Sequence, residues 1–89
     1  MVGHDMYIVY VLKSLKDNNL YVGCTSDIEK RFKAHNNGEV RSTKSRRPFE
    51  LIFQEEYPNK YTAFNKERYY KTAQGKKELK TKINHCGVV

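Results

Sequence analysis

The chain lacks tryptophan, so its aromatic packing rests on seven tyrosines and four phenylalanines. A tyrosine packs like phenylalanine but brings a hydroxyl that needs a partner. The chain also lacks any CxxC pair. Cys24 and Cys86 are far apart, which removes the sequence signal for a zinc site and leaves two free thiols, as in a reducing cytosol. No apolar run nears the ~20 residues that a membrane span needs. The first residues, Met1 to Met6, include His4 and Asp5 and show no signal-peptide core, so a cytoplasmic protein with no membrane partner is expected. No repeat, linker or composition shift marks a second domain. With 89 residues, one domain is expected over 1–89, with its core at about 6–83 and an uninformative tail at 84–89.

Acidic residues are the remaining shortage. Ten Asp and Glu face 17 Lys and Arg, for a formal net charge of +7. A surplus of that size on a small domain favours a polyanion, usually nucleic acid; the alternative is a basic surface that serves solubility. Hydrophobic content of 38% and aromatic content of 12% suit a folded globule rather than a disordered chain.

What is present reads as ββαβαα. Met6 to Lys13 is β-branched and aromatic and predicts a buried strand. Lys16 to Asn19 is a turn, because Asp and Asn tolerate left-handed backbone, and Leu20 to Thr25 predicts the second strand of an antiparallel hairpin. Ser26 followed by Glu29 has capping-box form and opens a helix to about His35. Asn36-Asn37-Gly38 stops it. Gly38 to Arg47 is a polar, basic loop with room for one helical turn. Pro48 to Glu55 predicts a third strand, with Phe49, Leu51 and Phe53 on one face. Asn59 to Thr72 is helical, with Ala63, Phe64 and Tyr70 on one stripe; Gly75 interrupts, and Lys76 to Ile83 forms a short basic helix. The fold class is α+β, a three-stranded antiparallel sheet flanked by helices.

Several side chains in this layout carry chemistry. Tyr10 and Tyr21 lie on neighbouring strands, although two strand tyrosines are often packing alone. Arg31 and His35 are four apart on the first helix and share a face with Ile28 and Phe32. Glu67 falls within the stripe expected to meet the core, where an unpaired carboxylate is costly. It needs a cation: Lys71, Arg68 or Arg31 in a structural ion pair, or a hard divalent metal.

In order, Ile8-Val9-Tyr10, Tyr21-Val22-Gly23, Arg31, His35 and Glu67 resemble the GIY-YIG nuclease domain over Met6 to about Ile83. Arg46-Arg47-Pro48 is similar to a segment of the small single-domain members found mainly in bacteria. Ile8 stands where the first motif has glycine. A late asparagine supports the site in several members; Gln74 and Asn84 are the positional candidates here, while Lys71 fits the small branch. The resemblance implies Tyr10, Tyr21, Arg31, His35 and Glu67 as catalytic residues and one Mg²⁺ (or Mn²⁺) on Glu67. It implies a DNA endonuclease of low sequence specificity, or one directed by DNA structure, in repair or processing, with a separate protein partner for targeting. Arg41, Lys44, Arg46 and Arg47 form one basic cluster, and Lys76, Lys77 and Lys80, with Lys82, another; with Lys71 they are the expected phosphate contacts. A non-catalytic nucleic-acid-binding module and an RNA nuclease are the alternatives.

Overall fold

The computed structural model describes residues 6–87, with side chains as far as residue 84. The expectations for Met1–Asp5, for the Cys86 thiol and for the end of the tail lie outside that range.

Strands β1 (Tyr7–Ser14), β2 (Leu20–Thr25) and β3 (Phe49–Tyr57) form one antiparallel sheet in the order β2-β1-β3. β1 is central because it is the most apolar: Val9, Tyr10, Val11 and Leu12 have no exposed surface. The hairpin turn bears out the reading of its Asp and Asn residues. Asn18 has a φ of 62°, and the Asp17 carboxylate accepts the Asn19 amide at 2.9 Å.

One face of the sheet carries Tyr10, Leu12 and Phe49, and Ile28 and Phe32 of helix α1 (Ile28–Asn36) pack against it. The other carries Val9, Val11 and Val22. Ala63 and Tyr70 of α2 (Lys60–Tyr70) and Leu79 of α3 (Ala73–Gly87) cover that second face. A 3₁₀ turn at Lys44–Arg46 is the single helical turn expected in the basic loop.

Four expectations need correction. Asp27, not Ser26, caps α1: its carboxylate accepts the Lys30 amide at 3.1 Å, a stronger acceptor placed at the start of the helix. Phe49, Leu51 and Phe53 do not share a face. Val11 pairs with Phe53 and Leu12 with Leu51, so Ile52 is the extra residue of a β-bulge. Phe53 and Ile52 therefore turn to the α2–α3 side, and strict alternation fails there. Phe64 leaves the α2 stripe and is 50% exposed, because contact through Ala63 and Tyr70 rotates it about 100° away from Ala63. Gly75 does not precede α3 but lies inside its first turn. There a Cβ would overlap the Tyr69 carbonyl, so glycine permits close approach of α2 and α3. Thr72 receives the Gly75 amide at 3.0 Å and caps the helix.

Candidate active site

The hairpin register brings the first two site residues together. Tyr10 faces Gly23 and Leu12 faces Tyr21 across the pair, so both tyrosines project to the α1 face, with ring centroids 6.4 Å apart. The Tyr10 ring lies across the backbone of β2 at Gly23. A Cβ there would run into the ring and its hydroxyl, which explains the glycine of Tyr21-Val22-Gly23 physically.

α1 adds Arg31 and His35 one turn apart. Arg31 Nε donates to the Tyr10 hydroxyl at 3.4 Å, and His35 Nε2 lies 2.9 Å from the same oxygen. His35 Nδ1 lies 2.8 Å from Thr43 Oγ1, which itself donates to the Val40 carbonyl at 3.4 Å. With that hydroxyl proton committed, Thr43 accepts from His35 Nδ1–H, and Nε2 is left as an acceptor. Tyr10 O–H therefore donates to His35 while receiving Arg31. The imidazole also stands edge-on to the Tyr21 ring at 5.1 Å.

Burial sets the ionisation of this chain of contacts. It pushes the Tyr10 phenol up to about 12, against the partial counter-effect of the Arg31 bond. It pushes His35 down to about 4, reinforced by the Arg31 charge. Both groups are neutral near pH 7, and the Tyr10 bond helps hold Arg31 charged. For the phenol, desolvation outweighs the one guanidinium beside it.

Glu67 arrives from α2, which packs on the opposite face, and Lys71, the C-cap of that helix, reaches both its carboxylate and the Tyr21 ring. The site thus sits at the β2 edge, where the two faces meet. The Glu67 side chain is 14% exposed and pairs with Lys71 at 2.9 Å. Of the three candidate cations it takes Lys71, whose ammonium also stands 5.9 Å from the centre of the Tyr21 ring.

Arg41, Lys44, Arg47, Lys71, Lys76, Lys77 and Lys80 are exposed. Arg46 is engaged within the fold: it pairs with Asp17 at 3.3 Å and covers the Phe49 ring. Lys82 is likewise bound to Glu55 at 3.1 Å and to the Tyr70 hydroxyl at 2.8 Å. Gln74 and Asn84 are both exposed, and neither bonds a site residue among the described residues. Thr43, fully buried, is the site residue that sequence reasoning missed. It sits in a polar loop, where no periodicity marks a buried hydroxyl.

A profile of the GIY-YIG catalytic domain matches residues 6–84. The chain belongs to the GIY-YIG nuclease family. Within it, the chain is 43% identical over 77 residues to a UPF0213 protein of Staphylococcus saprophyticus, covering 85% of this chain and 93% of that one. It is 45% identical over 73 residues to the UPF0213 protein YazA of Bacillus subtilis, covering 81% and 73%. The solution NMR structure of a UPF0213 protein of Bacillus halodurans is similar with a TM-score of 0.53 at 32% identity, covering 85% of this chain and 83% of that chain.

Proposed function

We propose that the protein is a metal-dependent DNA endonuclease. The observation that carries this reading is the Tyr10 hydroxyl held between Arg31 Nε and His35 Nε2, with Glu67 linked to the Tyr21 side of the site through Lys71. Attack of water on a phosphodiester requires removal of a proton from that water. Tyr10 oxygen accepts it as the Tyr10 proton passes to His35 Nε2, so the phenol need never stand as a free phenolate. Thr43 fixes the imidazole tautomer that makes this relay feasible. Arg31 binds phosphoryl oxygens with the rest of its guanidinium, a fork suited to that group, and Tyr21 positions the phosphate beside it.

The donor set fits one hard cation. Among the described residues no three His, Cys, Asp or Glu side chains cluster as ligands. That leaves a single carboxylate, sufficient for Mg²⁺ or Mn²⁺ when waters and substrate phosphate complete the shell. When bound at Glu67, the ion would supply charge neutralisation at the phosphate and its leaving oxygen. Lys71 pairs with that carboxylate at 2.9 Å.

Glu67→Ala on one sample tests this reading. The Lys71 partner is 51% exposed, so loss of the pair costs only about 0–1 kcal/mol. The expected result is no cleavage of supercoiled, single-stranded or branched DNA with Mg²⁺, a melting temperature within a few degrees of wild type, and retained DNA binding. Cleavage by the variant at the wild-type rate excludes Glu67 from the site. RNA tested alongside DNA decides which sugar is accepted.

A further inference from the structure

Beside Tyr21, on the α2–α3 side of the β2 edge, lies a groove of about 530 Å³ whose floor takes no part in the proposed chemistry. Its floor is apolar, formed by Leu20, Val22, Tyr70 and Leu79, and its rim carries Lys71, Lys76 and Lys80. Asn18 and Asn19 close the end near the hairpin turn. The floor residues are buried or half-buried, while the lysines and asparagines are exposed.

We infer that this groove is a nucleobase subsite, which takes an unpaired base of the DNA strand next to the phosphate held at Tyr10 and Arg31. The inference rests on the nuclease reading and adds the class of substrate. Three features select this occupant. The volume falls within the roughly 300–1,000 Å³ range of small-ligand pockets and holds one base, whereas a base stacked and paired inside a helix is not free to enter it. An apolar floor under a cationic rim matches a flat base attached to phosphates, as in sites that combine base contact with a positive track along the backbone. The groove also shares Tyr21 and Lys71 with the candidate active site, so a strand that enters it is already placed across Glu67. The amides of Asn18 and Asn19 offer donors and acceptors for a base edge.

The test is binding of wild-type protein in EDTA, where no cleavage can occur. The probes are a fluorescent thymidine decamer and an all-abasic decamer with the same phosphates. The thymidine strand should bind about tenfold more tightly, on the scale of one or two base contacts. It should also move the methyl resonances of Leu20, Val22 and Leu79, which the abasic strand should leave in place. Asn19→Trp should close the groove and remove the difference. Its side chain makes no hydrogen bond among the described residues, and the turn bond uses its backbone amide. A duplex with one bulged base and a fully paired duplex complete the set. Methyl shifts with the bulge identify an extruded base as a source, and shifts with the single strand alone identify a free strand. Equal affinity for thymidine and abasic strands, or equal methyl shifts with the paired duplex, overturns the inference. Failure of the nuclease reading would show separately, as absent cleavage with Mg²⁺ and intact base-dependent binding.

Discussion

Gly23 and Tyr10 form a matched pair: one residue gives up its side chain so that the other can cross β2 and reach α1. Gly23→Ala should therefore cost about 1–3 kcal/mol through overpacking, and should reduce cleavage further by moving the Tyr10 hydroxyl off Arg31 and His35. Urea denaturation and a cleavage assay on the same preparation check both outcomes. His35 makes a prediction about pH. Its folded value is depressed to about 4, below the usual ~6.5 of an unfolded chain. The folded state keeps it neutral while the unfolded state takes up a proton. The stability it contributes is present above about pH 6.5 and is lost as pH falls towards 4. The urea midpoint of wild type should fall between pH 7 and 5 more steeply than that of His35→Gln. Spacing on strand and helix placed Tyr10 and Tyr21 on neighbouring strands and Arg31 and His35 on one helix face, while their selection as site residues came from the resemblance to the GIY-YIG domain. Thr43 was not legible, since its burial follows from how a loop folds over α1, which no local pattern encodes.

Elements were legible where one face decides their pattern. β2 lies at its sequence-read bounds, and α1 ends at the Asn36-Asn37-Gly38 signal, with Gly38 at a φ of 80°. The errors at Ile52 and Gly75 fell where two elements press together. Gly75 reads as a breaker because helix propensity penalises it, yet the contact between α2 and α3 requires it. Gly75→Ala should lower the melting temperature, although alanine is the better helix former, because the added methyl meets the Tyr69 carbonyl. The expected loss is about 1–3 kcal/mol; a stabilised variant by calorimetry would contradict the packing described. The same contact aligns the carboxylates of Glu55 and Glu78 with Tyr69, Tyr70, Lys66 and Lys82. That network ties β3 to both C-terminal helices and so holds the helix that bears Glu67.

At the scale of the whole molecule, a net charge of +7 is not spread evenly over function. Arg46 and Lys82 are engaged by the fold and Lys71 is paired with Glu67, while Arg41, Lys44, Arg47, Lys76, Lys77 and Lys80 are exposed. Contacts to about four to six phosphates predict a log–log salt slope of roughly −4 to −5 on duplex DNA. A flat response from low to moderate salt would make those side chains solvated surface only. Charge and composition could announce a nucleic-acid partner but not the division of labour among cations, which depends on contacts between distant segments.

The bulge at Ile52 bears on how such a chain tolerates changes of length. β3 serves one interior through Phe49 and Leu51 and the other through Phe53, and Ile52 is the residue by which its count exceeds that of β1. Loss of Ile52 leaves Leu51 opposite Leu12 and Phe53 opposite Val11, each still on its own side. Loss of Gln54 would instead invert the residues beyond it and carry Glu55 away from the Tyr70 hydroxyl, which it accepts at 2.8 Å. A one-residue deletion in this strand is thus a repair at one position and a frameshift of the sheet at the other.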